Sequence, residues 1–285
     1  MHRALRRELS RRRFLKGAAA LPVLWVSPDT AFALPDYTLR AQRLSWAGMR
    51  LQLEDTNLYL DPLTNPGVWG STLRGPIVPI TRGKGANYVP ITHRHPDHFD
   101  PVAVAQALGD DGVLISAEMV GAPAVQSGVT VRLVGLHEPV LLGEFTATAV
   151  PAVDGYGDPQ VSWVVSGGGR RVIHCGDTLW HGYWWRIGRQ LGPFDAAFLP
   201  INGARFGWRQ PVSDTPAVMT PEQAIAAAAI LGARLVIPIH YGITPSAVYR
   251  EVDDAEGYLL KAARARDIGV ELVPPGAWVT WKAQK

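Results

Sequence analysis

Apolar and polar positions alternate in short runs through the first half of the chain and recur at helical spacing mainly in the second. Extended segments are predicted at 39–46, 50–54, 57–60, 77–79 and 88–91. Helical spacing follows at 102–108 and 117–125, around an extended run at 113–115. Residues 131–134, 139–142 and 145–150 continue as strands. The runs 161–165 and 171–175 flank Ser166-Gly167-Gly168-Gly169-Arg170, whose glycines suit a hairpin turn. No helix opens after them, so they do not read as a dinucleotide-binding loop. Beyond this point helix and strand alternate: a helix near 183–191, a strand at 196–200, an Ala-rich helix at 221–231, a strand at 235–239, a helix near 246–266, and short strands at 270–273 and 278–281. Thr220 before Pro221 is an N-cap followed by a proline in the first turn. Strands first and alternating units later predict an α/β protein with two packed sheets and helices outside.

Composition narrows this picture less than the position of the charge does. The 285 residues carry 28 Lys and Arg against 25 Asp and Glu, a formal +3, and a single Cys. One cysteine excludes an intramolecular disulfide. Residues 1–33 hold seven basic and two acidic groups, which leaves 21 basic against 23 acidic groups in the remainder. Nucleic acid as a partner therefore has no electrostatic basis beyond residue 33.

Ser10-Arg11-Arg12-Arg13-Phe14-Leu15-Lys16, a short apolar stretch from Gly17 to Val26, and Ala31-Phe32-Ala33 follow one another in the order of a twin-arginine export signal, which this segment resembles. Its apolar stretch falls well short of the ~20 residues of a membrane helix. The resemblance implies handling by the twin-arginine translocation machinery, a cleaved signal at 1–33, a mature domain at 34–285, and a periplasmic or extracellular destination. The remaining length suffices for one large domain with a full core.

The chemistry concentrates in Thr92-His93-Arg94-His95-Pro96-Asp97-His98, directly after an apolar run. Imidazole and carboxylate groups at this density suit borderline metal ions that take nitrogen and oxygen ligands. His93 and His95, two apart in extended backbone, project to the same side. Asp97 and His98 lie where the chain turns toward a helix starting near Asp100-Pro101, and can face a second ion. Gly176-Asp177-Thr178 and His240-Tyr241-Gly242 each follow a predicted strand and add further ligand-type side chains. No G-x-S-x-G elbow is present, and Cys175 has no recognisable catalytic partner.

With these residues in place, the chain resembles the metallo-β-lactamase superfamily, whose H-x-H-x-D-H hallmark is met by His93, His95, Asp97 and His98. It looks closest to the branch of N-acylphosphatidylethanolamine-hydrolysing phospholipase D and ascorbate-phosphate lactonase. Further matching pieces are Leu60-Asp61-Pro62, Val150-Pro151-Ala152, Gly176-Asp177-Thr178, Gly192-Pro193-Phe194-Asp195, Met219-Thr220-Pro221-Glu222-Gln223-Ala224 and Ile239-His240, from about residue 58 to 240. The resemblance implies a four-layer αββα sandwich with two divalent metal ions, zinc by family habit, at one edge. It implies that His93 and His95 bind the first ion, that Asp97, His98 and His240 bind the second, and that Asp177 bridges them. Asp61 resembles the buried Asp that braces the metal-binding loop. The activity implied is hydrolysis of a phosphodiester, lactone or amide of a small-molecule or lipid-like substrate by a metal-bridging hydroxide held by Asp97 and Asp177.

One position departs from the pattern. The family's further His ligand, three residues after the proline of the Val-Pro-Ala segment, is replaced by Asp154. We read Asp154 as the ligand in its place, with His181 as its rival for that position or as a proton donor near the substrate. Three carboxylates leave two divalent ions less electropositive than two would, which suits Mn or Fe better than a His-rich set does. A non-catalytic metal- or ligand-binding protein with a degraded first site is the second reading. Trp180, Tyr183, Trp184, Trp185, Phe206 and Trp208 are candidates for a partly apolar substrate pocket.

Overall fold

Two sheets lie at the centre of the fold, and the computed structural model describes residues 38–124 and 128–282. The segment 1–33, expected from the sequence to be an export signal, lies outside the described residues. The first sheet runs in chain order through β1 (Arg40–Arg43), β2 (Met49–Leu53), β3 (Thr56–Leu60), β4 (Ala86–Pro90), β5 (Val113–Ala117) and β6 (Thr130–Val134). It begins as an antiparallel meander and becomes parallel from β3 onward. α1 (Pro101–Leu108) connects β4 to β5 and packs against both.

The second sheet is built from β7 (Pro139–Leu142), β8 (Phe145–Pro151), β9 (Val161–Gly167), β10 (Arg170–His174), β11 (Ala196–Pro200), β13 (Leu235–Ile239) and β15 (Gly269–Val270). Its order is β15-β13-β11-β10-β9-β8-β7. β7 to β10 are antiparallel, whereas β10, β11, β13 and β15 are parallel. The crossovers carry α2 (Trp184–Leu191), α3 (Pro221–Leu231) and α4 (Ala255–Arg264). A two-stranded ribbon, β12 (Arg205–Phe206) with β14 (Tyr249–Arg250), stands apart from both sheets.

Side-chain alternation explains the layering. In β11, Ala196 and Phe198 face the core between the sheets, while Ala197 and Leu199 face the helices; in β13, Leu235, Ile237 and Ile239 face inward and Val236 outward. Both strands are buried on both faces, as parallel strands under helices are. The inner core joins Leu51, Leu58 and Leu60 of one sheet to Phe145, Trp163 and Phe198 of the other, and α1 adds Val104, Ala107 and Leu108. The outer core joins the second sheet to Trp184, Ile225, Ala228 and Leu259 of α2, α3 and α4. The result is the αββα sandwich expected from the sequence.

Several local expectations give way. The helix predicted at 117–125 does not form over its described residues, 117–124: Ala117 ends β5, and the turn after it is closed by a Ser116 hydroxyl donating to the Gly121 carbonyl. Residues 77–79 pair with no strand, and the Val78 amide instead donates to the Ser45 hydroxyl. The helix predicted near 246–266 starts only at Ala255, because Tyr249 and Arg250 are taken up by the ribbon and Asp254 supplies the N-cap. Of the predicted strand at 278–281, only an isolated bridge between Gln42 and Trp278 forms. α3 begins with the full capping box, Thr220 accepting from the Gln223 amide while the Gln223 side chain accepts from the Thr220 amide. No helix among the described residues is long and apolar enough to cross a membrane.

Candidate metal centre

The histidine cluster occupies the connection between β4 and α1, pinned at both ends. The amides of His98 and Phe99 donate to the His95 carbonyl at 2.9 and 2.8 Å, winding the loop into a turn. Asp100 then caps α1 through the Val102 amide and also accepts from the amides of Thr64 and Asn65. The other candidate ligands also sit just past strand ends: Asp154 after β8, Asp177 after β10 and His240 after β13. Gly176 precedes Asp177 with φ +58°, and a Cβ there would lie 2.9 Å from the Thr92 hydroxyl and the Gln160 amide nitrogen. That close approach requires glycine.

These connections bring together two groups with the spacing of metal ligands. His93, His95, Asp154 and Asp177 form one, and Asp97, His98 and His240 form the other. Asp177 faces both: Oδ1 lies 3.7 Å from His93 Nε2, and Oδ2 lies 3.9 Å from both His98 Nε2 and His240 Nε2. Asp97 Oδ2 is 3.7 Å from His240 Nε2 and 3.9 Å from His98 Nε2, and Asp154 Oδ2 is 3.6 Å from His95 Nδ1. Such separations are too long for hydrogen bonds. They fall inside the ~4.2 Å limit for two atoms bound to one ion at ~2.1 Å each. The nitrogen Nε2 of His93, His98 and His240, and the oxygens Oδ2 of Asp154 and Oδ1 of Asp177, are buried without a hydrogen-bond partner. Burying that many unpaired polar atoms is costly unless something bonds them. The donor set, nitrogen and oxygen at ion spacing, fits two divalent ions.

Surrounding groups fix which nitrogen of each ring is free. Asp61 is fully buried and accepts from the Thr92 amide, the Thr92 hydroxyl and His98 Nδ1 at 2.8, 2.7 and 2.9 Å. A carboxylate only accepts, so His98 keeps a proton on Nδ1, and Nε2 is the nitrogen turned inward for an ion. The Thr92 hydroxyl, its proton given to Asp61, accepts from His93 Nδ1 at 3.0 Å and frees Nε2 in the same way. His95 is reversed: Nε2 donates to Asp158 at 2.9 Å, leaving Nδ1 toward Asp154. The Trp46 indole donates to Asp97 at 3.1 Å, and its ring packs 4.2 Å from that of His240. Contacts of this kind orient ligands and raise metal affinity.

The electrostatics follow from this crowding. Burial alone would lower the pKa of His98, but Asp177, Asp97 and Asp61 outweigh it and push it up to about 10. Burial prevails for His93 and brings it down to about 4 against the pull of Asp177. Asp97 and Asp177 stay well below the usual carboxylate range, because the facing histidines outweigh burial. Asp154 moves the other way, raised by burial and then by Asp177. Its Oδ1 accepts from the amides of Tyr156 and Asp158, so this residue shapes its own turn.

His181 belongs to neither ligand group. It stacks on Trp184 at 3.9 Å, its Nδ1 accepts from the Tyr183 amide, and burial lowers it to about 4. Cys175 is buried with its thiol pushed up to about 12 by burial, a core residue. His174 is buried 3.8 Å from Asp61. The predicted aromatic set divides: Trp180 packs with Trp185, and Trp184 with His181, whereas Phe206 and Trp208 join Tyr156 and Tyr249. Sequence reasoning missed Trp46, Thr92 and Asp158. Thr92 adjoins His93, but nothing in the local sequence marks the other two.

The model of the beta-lactamase superfamily domain family matches residues 56–241. A "UPF0173 metal-dependent hydrolase" from Methanosphaerula palustris is 30% identical over 245 residues, covering 82% of this chain and 97% of that protein. Its counterpart from Rubrobacter xylanophilus is 34% identical over 168 residues, covering 54% of this chain and only 64% of that protein. Among solved structures, Igni18, described as a novel metallo hydrolase from Ignicoccus hospitalis, has a TM-score of 0.61 at 20% identity, with 85% of this chain and 97% of that one covered. That last likeness is one of fold.

Proposed function

This chain belongs to the UPF0173 metal-dependent hydrolase family of the beta-lactamase superfamily, and from that premise we propose that it hydrolyses an ester-type bond with two divalent ions. His93, His95, Asp154 and Asp177 would hold the first, and Asp97, His98, His240 and Asp177 the second. The observation that carries the reading is Asp177, whose two oxygens each face a different group of buried, unpartnered histidine nitrogens. When bound, such a pair of ions supplies an acidified water and a positive clamp for charge developing on a carbonyl or phosphoryl oxygen. Asp97 and Asp177, both ionised, would position that water, and the Trp46 indole holds Asp97 in place. Thr92, Asp61 and Asp158 keep the imidazoles in the tautomers the site needs. His181 is neutral at pH 7, its Nδ1 accepting from the Tyr183 amide and its Nε2 buried against Trp184.

The resemblance to phospholipase D-type and lactonase members puts phosphodiesters and lactones beside amides in the substrate range, on a small or lipid-like molecule. Zinc is the ion of family habit, while Asp154 favours Mn or Fe. The test is metal content of the purified protein together with a screen of phosphodiesters, lactones and amides after loading with Zn, Mn or Fe. Two ions per chain, with turnover abolished by Asp177→Ala, are expected. One ion per chain and no turnover with any metal would favour the non-catalytic binder. We also propose export through the twin-arginine route; N-terminal sequencing of the protein from a periplasmic fraction checks it, with an intact residue 1 counting against it.

A further inference from the structure

Aromatic rings link the two ligand groups by a second route, outside the metal-facing atoms. From His95 the sequence of contacts runs to Tyr156 at 5.6 Å between ring centres, then to Phe206 at 4.9 Å and Tyr249 at 5.7 Å. It continues to Trp69 at 5.0 Å, Trp46 at 5.6 Å and His240 at 4.2 Å. His240, His98, His93 and His95 complete the circuit at 5.1, 4.3 and 4.4 Å. Trp208 lies over it, 4.6 Å from Phe206 and nearly parallel to Tyr249, and is 46% exposed. Tyr156, Phe206 and Trp69 are half-buried, so the circuit has a dry side on Trp46 and Tyr249 and a side open to solvent.

The segments that supply these rings are spread along the chain. The ribbon of β12 and β14 joins neither main sheet, yet it sets Phe206 and Tyr249 in the circuit. The turn shaped by Asp154 carries Tyr156, with the Arg209 guanidinium 3.4 Å over its ring. The Tyr156 ring is already covered by Phe206 and by the Arg209 guanidinium, so Trp208 is the ring left open to a further flat partner, with which offset and edge contacts between π systems add to simple apolar burial. We propose that the substrate carries an aryl or other planar conjugated group, seated against the exposed Trp208 and the open edges of Phe206 and Tyr156. This rests on the two-ion hydrolase reading for its orientation, and adds the substrate class.

The test compares ligands with the same head group and different shape. Benzylphosphonate, cyclohexylmethylphosphonate and methylphosphonate are titrated calorimetrically into metal-loaded protein. Benzyl alcohol and cyclohexylmethanol are compared on metal-free protein by saturation-transfer NMR. Benzylphosphonate is expected to bind about tenfold tighter than its cyclohexyl counterpart, a preference worth about 1.4 kcal/mol. Trp208→Leu, which keeps apolar bulk on an exposed position, should erase that preference and leave methylphosphonate binding unchanged. Tyr156→Phe, which keeps the ring, should retain it. Equal affinity for the two shapes, or a preference untouched in Trp208→Leu, overturns the proposal. If no phosphonate binds at all, the two-ion reading falls, and the alcohol pair on metal-free protein still decides whether the aromatic face selects flat molecules.

Discussion

Asp61 accepts a hydrogen bond from His98, 2.9 Å from Nδ1 to Oδ2, and both side chains are fully buried. The same carboxylate takes the Thr92 amide and hydroxyl, so one residue sets the rings of both ligand groups, directly for His98 and through Thr92 for His93. Its backbone adopts φ +45°, a conformation uncommon outside glycine and tolerated by Asp. Asp61→Asn replaces one acceptor oxygen with a donor facing other donors. Metal affinity should fall ~10- to 100-fold, with stability lowered by about 1–3 kcal/mol. Metal titration and thermal unfolding on the same preparation check both effects.

His98 leads to a prediction about protons. In the metal-free protein it stays protonated up to about pH 10, because Asp177, Asp97 and Asp61 outweigh burial. A raised folded-state pKa means that the stabilisation is full below the unfolded value near 6.5 and is lost as pH rises toward 10. The melting temperature of metal-free protein should therefore decline across that window, while metal-loaded protein should not follow it. Loading at pH 8 must displace the Nε2 proton. Calorimetric titrations in buffers of different ionisation enthalpy should reveal about one proton released at this position.

Asp154 tests the metal preference. Asp154→Asn retains the oxygen that accepts from the Tyr156 and Asp158 amides but removes the charge opposite His95. Metal content should drop from two ions toward one. Asp154→His should shift competition between Mn and Zn toward Zn, since it removes a hard anionic ligand. An unchanged Mn-to-Zn ratio by mass spectrometry of bound metal would count against the assignment of Asp154 as a ligand.

Acid pH should expose the buried neutral histidines. Burial lowers His174 and His181 to about 4. Between pH 4 and 6.5 the unfolded chain binds these protons and the folded one does not, so stability rises with pH by up to about 1.4 kcal/mol per unit for each group. His181→Gln should flatten that slope in urea titrations while leaving bound metal unchanged.

Much of this organisation is legible in the sequence because burial repeats with the period of each element. β11, α3 and β13 have the predicted bounds, since continuous apolar runs there are closed by Pro200, by the Thr220-Pro221 cap and by Gly232. Expectations fail where a local pattern is overruled by a distant partner. Tyr249 and Arg250 read as part of a helix, but β12 captures them from more than forty residues away. The ligand residues are legible because each follows a strand. Asp158 and Trp46 are not, because their roles depend on folding that sets them against His95 and Asp97.

The indole of Trp46 donates to Asp97 and packs against His240, two of the three residues of the second ligand group. An ion held by that group would change the charge that this chromophore feels. On the two-ion reading, Trp46 fluorescence should then report occupancy of the second group and not of the first, with Trp46→Phe as the blank.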